Sequence, residues 1–151
     1  MPGSRVREGV RLIAAALDGS RRALPPGPAV RSAADVAALL GPAMRAGQQE
    51  AFVAVLLDVK QRVVATTLVS LGTLDCSLVH PRDLFRPALR ASAASVILAH
   101  NHPSGNPEPS PEDLAPTRRL ADAGRLLGIP VADHVIVGDG RYVSLAERGL
   151  L

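Results

Sequence analysis

Short apolar runs and longer amphipathic stretches alternate along this chain of 151 residues. The apolar runs are rich in Val, Leu, Ile and Thr, as expected of strands that are buried within a sheet. They predict strands at residues 52–57, 62–71, 95–99, 131–137 and 141–145. The first two strands, and likewise the last two, lie close enough in sequence to form hairpins.

The amphipathic stretches predict helices at residues 6–17, 33–44, 81–91 and 111–127. Ser32 and Ser110 precede two of these helices as N-caps, and Gly128 ends the last one. The third helix is expected to turn four apolar side chains toward the core, namely Leu84, Phe85, Ala88 and Leu89. Three prolines fall inside predicted helices, where we expect a break or a kink: Pro42, Pro87 and Pro116.

This mixed order of elements predicts an α/β or α+β domain of three layers, with a mixed sheet between helices. We expect residues 1–45 to form an N-terminal helical segment with a Pro-rich loop, and residues 46–151 to form the main domain. The sequence does not indicate an oligomeric state.

Composition narrows the possible classes of protein. Apolar residues make up 47% of the chain, with two Phe, one Tyr and no Trp, so aliphatic side chains must build the core. The net charge of +3 permits contact with nucleic acid without requiring it. Cys76 is the only cysteine, so no intramolecular disulfide can form, and we expect a cytoplasmic protein. We expect no membrane association, because no apolar run is long enough to span a bilayer.

The stretch with the clearest chemistry follows the strand at residues 95–99. His100 and His102 stand one residue apart at the end of that strand, so their side chains can point to the same face. A loop with Gly105 and several prolines then returns the chain toward Ser110 and Asp113. Two imidazoles and one carboxylate can therefore meet at one point.

Such a set of side chains suits a catalytic zinc site, in which three protein ligands leave a fourth position for water. Zinc lowers the pKa of bound water toward neutrality and so supplies a nucleophile. A pair of histidines alone is equally compatible with a structural role. The complete spacing H-x-H-x7-S-x2-D, placed after a buried strand, is far more specific.

These residues resemble the JAMM motif of JAB/MPN-domain metallopeptidases, and the surrounding sequence resembles the RadC-like branch of that family. The resemblance rests on HNHPSG at residues 100–105, VHPRD at 79–83, ASVILAH at 94–100 and DHVIVGDG at 133–140. It runs from about residue 50 to residue 151. It implies a three-layer JAB/MPN-like fold, with a layout like that of the cytidine deaminases.

The resemblance also implies a function. The chain is expected to be a zinc-dependent metallopeptidase or isopeptidase that cuts a protein or peptide substrate with metal-activated water. His100, His102 and Asp113 correspond to the zinc ligands, and Glu50 to the base that takes the proton from the water. Ser110 corresponds to a serine that donates to the oxyanion. For Glu50 the plain alternative is a solvated charge at a strand start, and for Ser110 it is a helix cap.

The chain departs from the family in its N-terminal part. RadC-like proteins usually carry a helix-hairpin-helix region before the catalytic domain, and residues 1–45 show no clear hairpin with its glycine turn. The alternative function is a DNA-repair-associated accessory or DNA-binding protein whose metal site is structural or vestigial. The arginines of residues 1–31 and 82–90 offer it a basic surface.

Two other metal-dependent classes are excluded. A zinc deaminase needs an H-x-E and a P-C-x-x-C element, which a chain with one cysteine cannot supply. HNH nucleases spread their three residues along the chain, whereas here the three letters are adjacent. His80 and His134 are not assigned to the metal. Both can be structural, and their segments recur in the RadC-like branch, which implies a supporting or substrate-facing role.

Overall fold

The structure is a computed structural model that describes residues 27–47, 49–72 and 79–151. The predicted helix at residues 6–17, most of the Pro-rich loop and Cys76 lie outside the described residues. The division of the chain at residue 45 stays a prediction.

Five strands form one mixed sheet in the order β2–β1–β3–β4–β5. They are β1 (Ala51–Leu57), β2 (Val63–Leu71), β3 (Ser95–Asn101), β4 (Val131–Val137) and β5 (Tyr142–Ser144). Strands β3 and β4 run parallel, and the other neighbouring strands are antiparallel. All five predicted strands and both predicted hairpins are therefore confirmed, with small changes at the strand ends.

Helices cover both faces of this sheet. They are α1 (Ala33–Ala46), α2 (Pro81–Arg90) and α3 (Pro111–Leu127). Helix α1 packs on the face that carries Val53, Val55 and Ala99. Helices α2 and α3 pack on the opposite face, against side chains such as Phe52 and Leu98. The alternation of side chains along each strand thus serves two apolar cores, and the predicted three-layer arrangement is confirmed.

Two expectations about the helices are corrected: none of the three helices breaks at its internal proline, and one side chain of α2 that was expected to face the core is exposed. Each of the three helices continues through its internal proline. A proline removes the hydrogen bond to the carbonyl four residues earlier, and here those residues are Ala38, Asp83 and Glu112, all exposed, so water can satisfy each carbonyl. Leu84, Phe85 and Ala88 are buried as expected, but Leu89 is 54% exposed. It lines a surface groove together with Leu127.

The fold brings the H-x-H stretch and the first turn of α3 together. His100 is the penultimate residue of β3, and β3 lies at the centre of the sheet between β1 and β4. Asp113 lies in the first turn of α3, which connects β3 to the parallel strand β4. Within the described part of the chain, no helix combines the length and apolarity needed to cross a bilayer.

Candidate metal centre

Three donor side chains converge where β3 ends and α3 begins. The Nε2 atoms of His100 and His102 are 2.9 Å apart. Asp113 places Oδ1 at 3.3 Å from His100 Nε2 and Oδ2 at 3.3 Å from His102 Nε2. One ligand atom from each residue lies within 4.8 Å of the others, which is close enough for all three to hold one metal ion.

The loop after β3 orients the ring of His102. His102 Nδ1 lies 2.8 Å from the carbonyl oxygen of Asn106, and a carbonyl can only accept, so Nδ1 carries the hydrogen. Nε2 is then the nitrogen directed at His100 and Asp113. The loop itself is anchored to the end of β4 and to the turn that follows, because His102 N donates to Val137 O at 3.1 Å and Asp139 N donates to Gly105 O at 2.8 Å.

Ser110 orients the carboxylate of Asp113. Its backbone N–H and its hydroxyl both donate to Asp113 Oδ2, at 2.8 and 2.9 Å. Burial by itself raises the pKa of Asp113, but its contacts with the His100 and His102 rings and the hydrogen bond from the Ser110 backbone outweigh burial and hold that pKa well below its usual range. The carboxylate is therefore ionised and fixed, as a metal ligand must be.

A second histidine lies directly behind His100. His134, on the neighbouring strand β4, places Nε2 at 2.7 Å from His100 Nδ1, and its own Nδ1 lies 2.7 Å from Thr117 Oγ1. Phe52 stacks on the His100 ring, with ring centres 5.8 Å apart, and meets His134 edge-on. Both rings are fully buried, and burial lowers the pKa of His134 well below its ordinary value.

Glu50 lies directly before β1, at the position opposite His102, which directly follows β3. Phe52 pairs with His100 in the antiparallel register of β1 and β3, and Glu50 lies two residues before Phe52. Asn101 holds this end of β1, because its Oδ1 accepts from Ala51 N at 2.8 Å and its Nδ2 donates to the carbonyl of Gln49 at 3.1 Å. These two bonds fix the backbone on both sides of Glu50.

The pKa of His102 is raised above its ordinary value of 6.5. The main cause is the hydrogen bond with Asp113; burial opposes the shift, and the Asn106 carbonyl and the charges of Asp113 and Glu50 add to it. A proton on His102 Nε2 therefore lies between His100 and Asp113. The two Nε2 atoms and the Asp113 carboxylate thus attract a positive charge, which is what a metal-binding site requires.

The chemistry of these donors fits a divalent metal. Two imidazole nitrogens and one carboxylate oxygen are the set found in open, catalytic zinc sites. His100 is fully buried, whereas the His102 side chain is 16% exposed, so the cluster opens toward solvent on the His102 side. Among the described residues, this is the side from which a ligand or substrate can reach the cluster.

Comparisons with known proteins agree with the fold. A three-layer domain in which two histidines at the end of a central strand meet an aspartate in the first turn of the next helix is a JAB-type domain with a candidate metal centre. A family model described as "RadC-like JAB domain" matches residues 30–150, and the chain belongs to that family.

Proteins of several organisms are similar to this chain in sequence. A UPF0758 protein of Rubrobacter xylanophilus is 53% identical over 144 residues, covering 93% of this chain and 63% of the relative. UPF0758 proteins of Methanococcoides burtonii and Shouchella clausii are each 52% identical over 122 residues, covering 81% of this chain and 53% of each relative. The chain thus spans between half and two thirds of the length of these relatives.

The predicted site residues fall in two groups. The structure brings His100, His102 and Asp113 together. Ser110 donates two hydrogen bonds to Asp113, and the charge of Glu50 acts on His102. His80 is apart from the site: it is exposed and occupies the N-cap position of α2 without a side-chain cap.

Sequence reasoning missed Thr117 and left the role of His134 open. The available signal was the position of His134 in the interior of a strand beside β3. Thr117 lies four residues after Asp113, on the same face of α3, and that spacing was a second signal.

Proposed function

We propose that this chain is a zinc-dependent hydrolase of amide bonds that acts on a protein or peptide substrate. The observation that carries the proposal is the convergence of His100, His102 and Asp113 beside Glu50 at one solvent-accessible point. His100 and His102 would hold the metal through Nε2, and Asp113 through its carboxylate. Zinc supplies Lewis acidity, which activates water as a nucleophile at neutral pH and polarises a carbonyl.

Glu50 has the position of a general base. Its charge acts on His102, the most exposed of the three candidate ligands, and in the proposal its carboxylate takes a proton from an attacking water and returns it to the leaving amine. Because Asn101 fixes the backbone on both sides of Glu50, the carboxylate is held at that end of β1.

Ser110 has a supporting role in the structure. Its hydroxyl hydrogen is committed to Asp113 Oδ2, so it fixes the orientation of the metal-binding carboxylate. The role of oxyanion donor, which the family resemblance implies, requires this hydroxyl to rotate toward the substrate. Both roles belong to the proposal.

The substitution Glu50→Gln tests this function. We expect zinc content to stay at about one per chain, as a three-ligand site requires, and hydrolysis to fall by at least about 100-fold, the usual contribution of a general base. Hydrolysis is measured on a library of fluorescence-quenched peptides that includes isopeptide-linked lysines.

Asp58→Asn is the matched control, since it also converts a carboxylate to an amide but lies in the turn at the other end of β1. It should retain both zinc and turnover. If Glu50→Gln hydrolyses as fast as the wild type, the assignment of the base is wrong. If the wild type binds no zinc, the proposed function fails.

The alternative function is that of a DNA-associated accessory protein. One observation favours it: Arg82, Arg86 and Arg90 follow each other at one-turn spacing on α2, and all three are exposed along the groove that contains Leu89. The test is binding to duplex DNA over a range of salt concentrations. Binding that weakens steeply with salt, and that is lost on replacing the three arginines by glutamine, would favour this function. Equal binding by the variant would exclude this surface.

A further inference from the structure

The hydrogen bonds behind His100 form a continuous chain that begins and ends at candidate metal ligands. Thr117 Oγ1 lies 2.6 Å from the carbonyl oxygen of Asp113, one helical turn earlier in α3. The chain then passes to His134 in β4 and from there to His100 in β3. It therefore connects the ligand on the helix with the ligand on the central strand.

The direction of every bond in this chain follows from the chemistry of its atoms. The carbonyl of Asp113 can only accept, so the single hydroxyl hydrogen of Thr117 is donated to it. Thr117 Oγ1 has no second hydrogen, so toward His134 it can only accept. His134 Nδ1 must then carry a hydrogen.

The burial of His134 determines the direction of the remaining hydrogen bond, between His134 Nε2 and His100 Nδ1. Its ring is fully buried against Phe52 and His100, and its two ring nitrogens contact Thr117 Oγ1 and His100 Nδ1. A second hydrogen on Nε2 would place a positive charge in this apolar position, which is strongly unfavourable. His134 Nε2 is therefore a lone-pair acceptor, and the hydrogen in the 2.7 Å contact belongs to His100 Nδ1.

We propose that Thr117 and His134 are positioning residues that hold His100 in the tautomer with hydrogen on Nδ1, so that Nε2 offers its lone pair to the metal. The proposal rests on the proposed function for the identity of the site as a metal centre. The opposite tautomer would direct an N–H at the metal position and block binding. Because Thr117 also bonds the backbone of Asp113, the same chain sets the distance between the two ligands.

The first test uses the metal-free wild-type protein, labelled with ¹⁵N in its histidines. Two-bond imidazole correlation spectra distinguish the two tautomers and the doubly protonated ring. We expect His100 and His134 both to show hydrogen on Nδ1 and a bare or accepting Nε2. A hydrogen on Nε2 of His134 would overturn the proposal. This result does not depend on whether the protein binds zinc.

The second test measures zinc affinity by competition with a chromophoric chelator. Thr117→Val has nearly the same shape but cannot accept from His134, so we expect zinc affinity to fall about 10- to 100-fold, as for other partners that orient a ligand. Thr117→Ser keeps the hydroxyl and should restore the affinity. His134→Leu removes the group that accepts the hydrogen bond from His100 Nδ1, and it should lower zinc affinity at least as much as Thr117→Val.

The outcomes separate the two proposals. If the wild type binds no zinc, the proposed function fails, while the tautomers in the metal-free protein still decide the positioning role. If Thr117→Val, folded as shown by its thermal unfolding, binds zinc as tightly as the wild type and leaves the His100 tautomer unchanged, the positioning role is wrong.

Discussion

At the scale of single residues, His102 is the group that changes charge when a metal binds. Asp113 is already ionised, because its pKa is held well below the usual range, and His134 is already neutral, because burial lowers its pKa. The pKa of His102 is raised, so in the metal-free protein its ring stays protonated at a pH where free histidine is neutral. A metal ion must displace this proton, since only the neutral imidazole can bind it.

We therefore expect zinc affinity to increase as pH rises above 6.5 and to level off once pH exceeds the raised pKa of His102. At a pH below the raised pKa of His102, binding should release up to about one proton per zinc. Calorimetric titration in buffers of different ionisation enthalpy counts the released protons. The variant Thr117→Ser leaves the surroundings of His102 unchanged and should show the same pH dependence. A zinc affinity that is constant above pH 6.5 would contradict the prediction.

The three candidate ligands could be predicted from sequence because their arrangement is local. The alternation of a strand places His100 and His102 on one face, and a proline-rich loop of a few residues returns the chain to Asp113. The contact between His100 and His134 spans 34 positions and exists only because β4 lies parallel to β3. No local pattern contains that pairing, so Thr117 and His134 could be assigned only from the structure.

At the scale of elements, the strands follow the apolar runs closely, whereas the helices show where local rules are insufficient. A proline inside a helix is tolerated where its freed carbonyl faces water, and exposure is a property of the packed domain. Leu89 illustrates the same limit, because its apolar character predicts burial, but it is exposed and no element among the described residues covers that side of α2. The local sequence therefore indicated where the helices and strands lie, but not which side chains of each helix are buried.

The turn after β4 approaches the loop after β3 closely, and this contact gives an element-scale prediction. A Cβ atom at Gly138 would lie 2.3 Å from the carbonyl oxygen of Gly105 and 2.7 Å from a ring atom of Pro107. Gly138→Ala must therefore push this loop away from β4, and the loop carries the carbonyl of Asn106 that orients His102. We expect the variant to lose about 1–3 kcal/mol of unfolding free energy, as in other overpacked sites, and to bind zinc more weakly.

Gly140 provides the control for this substitution. It lies in the same turn, and its φ of +66° favours glycine, but no atom lies within 4 Å of an added Cβ. Asn tolerates this conformation, so Gly140→Asn should change zinc affinity little. Urea denaturation and chelator competition measure both quantities. Equal zinc affinities for Gly138→Ala and the wild type would show that the loop does not depend on this contact.

At the scale of the whole molecule, the candidate ligands connect two layers. His100 belongs to the sheet, and Asp113 to the helical layer formed by α2 and α3. The three-layer arrangement was predictable from the order of helices and strands. The order of the strands within the sheet was not, because it depends on long-range pairing between β1, β3 and β4.

A metal that joins two layers should stabilise the native state as a whole, because the unfolded chain does not hold His100 and Asp113 together. At a free zinc concentration of about 100 times the Kd, the expected gain is about 2.7 kcal/mol in the free energy of unfolding. Urea denaturation with and without zinc measures this gain, and a chelator should reverse it. Asp113→Ala removes the ligand from the helical layer, so its stability should not respond to zinc. If zinc stabilised Asp113→Ala as much as the wild type, the metal would be bound elsewhere and the two layers would not be joined through this site.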